Sequence, residues 1–201
     1  MAVPWSTSCR STKPLQHLIV DLSGKRPRSS GGAEALMMMV DDCSRFSWSY
    51  FVKKKSDVPA VFASFLTDIR AQGTPSPGLR SDNGTDLTNQ EFVALLDHHS
   101  IRREYTPVDS PKHDNVAERC IAMTLELAMP CCLEVPRLFG GGPLPPTEPL
   151  CGEVRIYACV ALNMTERVGG RQEQLSPCQK VHGNASFPRL LSFFEARVPP
   201  R

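Results

Sequence analysis

Apolar and polar positions follow two different periods along this chain. Leu15 to Val20 is a short apolar run closed by Asp21, which predicts a buried strand over 16–22. Ser23 to Gly32, rich in Gly, Ser, Pro and basic residues, reads as a loop. Ala35 to Val40 and Phe46 to Val52 are two further strand-like runs. Asp41, Asp42, Cys43 and Ser44 between them supply turn chemistry, so an antiparallel hairpin is expected over 34–40 and 46–53. The period then changes. Val58, Val61, Phe62, Phe65, Leu66 and Ile69 recur at helical spacing, which predicts an amphipathic helix with Ser56 as its cap.

Leu79 to Ser81 forms a short fourth strand stopped by the turn residues Asp82, Asn83 and Gly84. Phe92, Leu95 and Leu96 give a brief helical face, Ile101 to Tyr105 a fifth strand, and Val116 to Met129 a last helix. Beyond Pro130 the Gly140 to Gly142 run with Pro143, Pro145, Pro146 and Pro149 forms a breaker-rich linker incompatible with a regular element. Beyond them the pattern is weak, with a helix expected over Ala158 to Met164 and a strand over Leu190 to Val198. The chain thus divides into a leader over 1–14, an α/β unit over 15–129 and an extension over 130–201.

With 201 residues and 41% hydrophobic content the chain can bury a core. Its 23 basic and 21 acidic residues neither demand nor exclude a nucleic-acid partner. No apolar run approaches the roughly 20 residues of a membrane span, and the N-terminus carries no apolar signal segment, so a soluble, intracellular chain without a membrane partner is expected. Eight cysteines show no Cys-x-x-Cys pair and the chain has no His-x3-5-His spacing, which favours reduced thiols over a zinc site.

The order of elements suggests where chemistry lies. Asp21 ends the first strand, Asp82 follows the fourth, and Glu118 sits in the first turn of the last helix. Each alone has a plainer reading: Asp21 and Asp82 as turn residues, Glu118 as a helix-capping partner three residues after Asn115. If the first and fourth strands are neighbours, the three acids converge on one sheet edge. Clustered carboxylates repel unless divalent cations neutralise them, and paired hard cations suit phosphoryl transfer. Asp41 and Asp42 fit the hairpin turn, and His98 and His99 a helix end. Lys53, Lys54, Lys55, Arg102 and Arg103 read as a solvated face that could also meet phosphates.

His17-Leu-Ile-Val-Asp21-Leu-Ser-Gly24, Val40-Asp-Asp-Cys-Ser-Arg-Phe-Ser-Trp48, Leu79-Arg-Ser-Asp-Asn-Gly84 and Val116-Ala-Glu-Arg119 follow one another in this order. Together they resemble the successive signatures of copia-type retrotransposon integrase catalytic cores, within the retroviral integrase superfamily. The spacing is similar too, with 60 residues between Asp21 and Asp82 and 35 between Asp82 and Glu118. The resemblance covers about residues 13–129. It implies a ribonuclease H-like fold, a mixed five-stranded sheet flanked by helices, with an irregular C-terminal tail. It also implies that Asp21, Asp82 and Glu118 bind two Mg2+ or Mn2+ ions and carry 3′-end processing and strand transfer in DNA integration. DNA, as element ends and as target, would be the partner; self-association and a nuclear location are further expectations of the resemblance.

The chain departs from the family pattern in places. Asp114-Asn115 stands where the family has Asn-Gly, and Cys120, Ile121, Ala122 and Met123 stand where it has basic residues facing DNA. The zinc-binding domain that precedes the core in the family is absent from the sequence, and after Met129 the match is patchy, as at Ala161-Leu-Asn163 and Ser176-Pro177. Two functions follow as expectations: a working integrase core, or a catalytically silent, degenerate remnant that folds and binds nucleic acid. A nuclease of the same fold acting on RNA–DNA hybrids fits the quoted motifs less well.

Overall fold

The computed structural model describes residues 11–23, 32–71, 77–81, 87–105, 115–139, 150–165 and 175–183. The strands are β1 (His17–Leu22), β2 (Ala35–Asp41), β3 (Ser47–Val52), β4 (Gly78–Ser81) and β5 (Arg103–Tyr105). The helices are α1 (Val58–Ala71), α2 (Gln90–His98), α3 (Asn115–Phe139), α4 (Leu150–Thr165) and α5 (Pro177–His182). The strands form one mixed sheet in the order β3-β2-β1-β4-β5. β1, β2 and β3 pair antiparallel, whereas β4 pairs parallel with both β1 and β5. A parallel neighbour needs a crossover over a sheet face, and α1 and α2 lie on the two that lead into β4 and β5.

Both faces are therefore covered. On one, Leu18, Val20, Met37, Met39 and Leu79 pack beneath α1 and α2. On the other, Ile19, Leu36, Met38 and Val40 meet Ala117 and Ile121 of α3 and Cys159 of α4. The strand period of two divides consecutive residues between these layers. It explains why β2, the second strand in the sheet order, is a continuous apolar run with Met37, Met38 and Met39 all fully buried. Aromatic rings join α1 to its neighbours: Phe62 stands 5.2 Å from Phe92 of α2, and Phe65 stands 5.3 Å from Trp48 of β3.

The expected strands and the first two helices fall close to their expected bounds. Ser56 is not the cap of α1; it sits inside a 3-10 turn, Lys55–Asp57, where the Asp57 carboxylate accepts from Lys54 N at 3.1 Å. Asn89 caps α2, its Oδ1 accepting from Phe92 N at 2.7 Å.

The larger difference concerns α3, which does not stop at Met129 but runs through Pro130 and Pro136 to Phe139. An interior proline removes one backbone bond and costs about 3 kcal/mol. Packing offsets it here, because Ala128 and Cys132, either side of exposed Pro130, bury against Val154 and Ala158 of α4. The helix expected over Ala158 to Met164 is longer, Leu150–Thr165, and α5 places Cys178 in the core beneath the sheet. The expected breaker-rich linker at 140–149 and the strand at 190–198 lie outside the described residues.

Candidate functional site

Asp21 lies one residue from the end of β1, half-buried, and its Oδ1 accepts from the backbone N of Leu22 at 2.7 Å. Its side faces α3. Ile19, two residues earlier on the strand, belongs to the layer under α3, and Met38, the cross-strand partner of Asp21, is buried in that same layer. On α3, Ala117 packs against this layer and Glu118 follows it, exposed, in the helix's first turn. A carboxylate there is favoured by the positive end of the helix dipole.

β4 runs parallel beside β1, with Leu18 opposite Leu79, Ile19 opposite Arg80 and Val20 opposite Ser81. The two strands therefore end together, at the edge where α/β sheets commonly hold ligands. Asp82 and the polar segment 106–114 lie outside the described residues. Among the described residues no three His, Cys, Asp or Glu side chains gather. Asp21 and Glu118 supply only carboxylate oxygens, a donor set that suits a hard divalent cation and not a soft one.

The same sheet face carries a polar network that sequence reasoning missed. Glu104 of β5 accepts from Arg80 Nη2 at 3.3 Å and stands 3.4 Å from His17 Nε2. The Arg80–Glu104 pair is adjacent across the β4–β5 ladder. His17 Nε2 is buried and lacks a hydrogen bond of good geometry, so the contact with Glu104 is an electrostatic one. Burial lowers the His17 pKa below its ordinary 6.5; Glu104 opposes that shift and Arg80 adds to it. Gly78, opposite His17, leaves room for the ring: a Cβ there would stand 2.7 Å from His17 Cδ2.

Asp41 and Asp42 sit apart from this edge and anchor the hairpin. Asp41, fully buried, accepts from Leu15 N at 2.8 Å, from Ser44 N at 2.7 Å and from Ser44 Oγ at 2.5 Å. Asp42 accepts from Ser11 N at 2.7 Å and from Arg45 Nη1 at 3.2 Å. The pair thus ties residues 11–15 to the β2–β3 turn.

Residues 11–111 match the family model described as integrase core domain. The chain belongs to this integrase core family. Over 167 residues it is 36% identical to the retrovirus-related Pol polyprotein from transposon TNT 1-94 of Nicotiana tabacum, which covers 81% of this chain and 12% of that polyprotein. The Pol polyprotein from transposon RE1 of Arabidopsis thaliana is 33% identical over 123 residues, 58% of this chain and 8% of the polyprotein. The integrase core thus spans a small part of the curated relatives it matches, and their transposon origin bears out the copia-type resemblance. Among solved structures, the magnesium complex of the HTLV-2 integrase catalytic core domain aligns with a TM-score of 0.61 at 19% identity, covering 86% of this chain and all (100%) of that one. The integrase of a simian T-cell lymphotropic virus intasome, solved with a PP2A regulatory subunit, gives 0.63 at 18% identity over 99% of this chain and 61% of that one. These likenesses bear out the ribonuclease H-like fold and the mixed five-stranded sheet.

Proposed function

We propose that this integrase core is a metal-dependent polynucleotidyl transferase that trims the 3′ ends of its element's DNA and joins them to target DNA. The observation that carries the reading is the parallel β1–β4 pairing beneath the start of α3. Asp21 and Asp82 are the residues bonded directly to Val20 and Ser81, which are partners across that ladder. Ala117, packed on the sheet beside Ile19, holds the backbone of Glu118 over the same layer.

In this reading Asp21, Asp82 and Glu118 hold two Mg2+ or Mn2+ ions. When bound, such ions activate the attacking oxygen and stabilise the leaving one in a phosphodiester displacement. The protein's own part is to fix the carboxylates. Leu22 N holds one oxygen of Asp21, and the helix start favours the charge of Glu118. DNA is the partner, as element ends and as target, and self-association of the chain and action in the nucleus belong to the same proposal. No helix among the described residues is long and apolar enough to cross a membrane.

The second reading, a catalytically silent remnant, draws on the second turn of α3, where Cys120, Ile121, Ala122 and Met123 offer no cation to a phosphate. Calorimetric titration of Mn2+ into the wild-type chain and the Asp82→Asn variant tests both readings. Binding that disappears in the variant, together with Mn2+-dependent joining of oligonucleotides, supports the transferase. A folded wild-type chain that takes up no Mn2+ supports the remnant.

A further inference from the structure

On the sheet face turned to α3, β1 and β2 are held by the apolar layer of Ile19, Leu36, Met38 and Val40. Among the described residues that layer takes no side chain from β4 or β5. Those two strands present charge there instead. Arg80 stands opposite Ile19 and Glu104 opposite Arg80, so both share the face of Asp21.

One carboxylate oxygen joins three strands on this face. Glu104 Oε2 accepts from Arg80 Nη2 at 3.3 Å and stands 3.4 Å from His17 Nε2. The His17 ring reaches it by crossing β4 at Gly78, where a Cβ would collide with the ring. Each of the three side chains is at most 20% exposed, so water and salt screen these contacts only in part. Glu104 is thereby held from two sides.

Which carboxylate Arg80 faces matters for the acid edge. Asp21 lies diagonally across the β1–β4 ladder from Arg80, and diagonal neighbours about 7–8 Å apart are within reach of long side chains. Asp82 follows Arg80 by two residues in the chain. A guanidinium turned to these acids would occupy their oxygens with its own N–H groups and would repel an incoming divalent cation. In the structure its Nη2 is turned to Glu104.

We propose that Glu104 is a positioning residue of the acid edge: it engages Arg80 and keeps that cation off the carboxylates that take the metal, with His17 buttressing Glu104. The inference rests on the transferase reading above and adds a residue that touches neither metal nor DNA. Its effect falls on metal affinity, not on the rate once metal is bound.

The experiment titrates Mn2+ calorimetrically into the wild-type chain, Glu104→Ala, Arg80→Gln, the Arg80→Gln/Glu104→Ala double variant and Asp97→Asn, each first checked for folding by its urea midpoint. Asp97 pairs with Arg103 of β5 at 3.3 Å, away from this network, and serves as the control. Glu104→Ala is expected to weaken Mn2+ binding about tenfold, the size of effect a neighbouring cation has on a carboxylate's affinity for a proton. The double variant should recover most of that loss, Arg80→Gln alone should bind at least as tightly as wild type, and Asp97→Asn should match wild type. In Mn2+-dependent strand joining, Glu104→Ala should raise the half-saturating metal concentration about tenfold and leave the saturated rate within about twofold.

Unchanged Mn2+ affinity in Glu104→Ala overturns the assignment and leaves the transferase reading standing. A double variant as weak as Glu104→Ala also overturns it, because loss of a merely structural contact is not rescued by removing the cation. If Glu104→Ala does not fold, Arg80→Gln decides: binding at wild-type strength or tighter supports the role, and weakened binding overturns it. A folded wild-type chain that takes up no Mn2+ overturns the transferase reading itself, and this role with it.

Discussion

Asn163 of α4 treats Ser47 of β3 as a neighbouring strand would. Its Oδ1 accepts from Ser47 N at 2.8 Å, and its Nδ2 donates to Ser47 O at 2.6 Å. The Ser47 hydroxyl donates to the same Oδ1 at 3.1 Å, and both residues are buried. Asn163→Ala strands the N–H of Ser47 and leaves its C=O and hydroxyl only the weaker contacts with Cys159 Sγ, at 3.5 and 3.2 Å, and each unsatisfied buried group costs about 1–3 kcal/mol. A loss of about 2–4 kcal/mol is expected, read as a lower urea midpoint with an unchanged slope. A loss below about 0.5 kcal/mol, within the range of an ordinary surface change, would show that α4 does not need this contact.

Gly78 and His17 provide a steric test. Adding a Cβ at 78 drives it into the half-buried His17 ring, so Gly78→Ala should destabilise the fold by about 1–3 kcal/mol. Combining it with His17→Ala removes the obstruction, and the double variant should be more stable than the sum of the two single changes implies. Thermal unfolding of the four chains measures the coupling.

Acidification should weaken the fold through its histidines. Burial lowers the pKa of His17, of His182 and, more weakly exposed to this effect at the surface, of His99 from the ordinary 6.5. The unfolded chain then binds more protons than the folded one between 6.5 and the lower folded values. Stability is full above pH 6.5 and falls as the pH drops through that window. Urea midpoints at successive pH values should show this slope, and His17→Gln should flatten it. An identical slope in the variant would remove His17 from the account.

Glu118 is exposed, so Glu118→Gln should leave unfolding midpoints unchanged within about 0.5 kcal/mol. Under the transferase reading the same change removes a metal ligand. Several kcal/mol of transition-state stabilisation corresponds to a rate loss of about a thousandfold in Mn2+-dependent strand joining. A variant joining DNA at the wild-type rate would exclude Glu118 from the site.

The parts of this fold legible in the sequence are those where one period holds over a whole element. β1, the hairpin and α1 each bury a regular apolar set, and turn residues mark their ends. α4 was only partly legible because it presents small or polar residues to its neighbours: Ala158, Cys159 and Asn163. The partner of Asn163 lies 116 residues away, a pairing that no local pattern can announce. The continuation of α3 past Pro130 depends likewise on α4, since helix propensity alone argues against it. At the candidate site the motif text named Asp21 and Glu118; strand alternation turns Asp21 to the layer under α3, and Glu118, exposed, follows Ala117 of that layer. The His17–Glu104–Arg80 network was hidden because its members come from three strands that meet only in the sheet.

The run of three methionines in β2 has a chemical consequence. Met37, Met38 and Met39 are fully buried, whereas Met129 on α3 is 49% exposed. A thioether becomes a polar sulfoxide when peroxide reaches it, and a core cannot readily keep the product. In the folded chain Met129 should be consumed first, while the three β2 sulfurs wait for the sheet to open. Their oxidation would then be irreversible in effect, locking apart the layers that β2 holds together, and its rate would count how often the molecule opens its core.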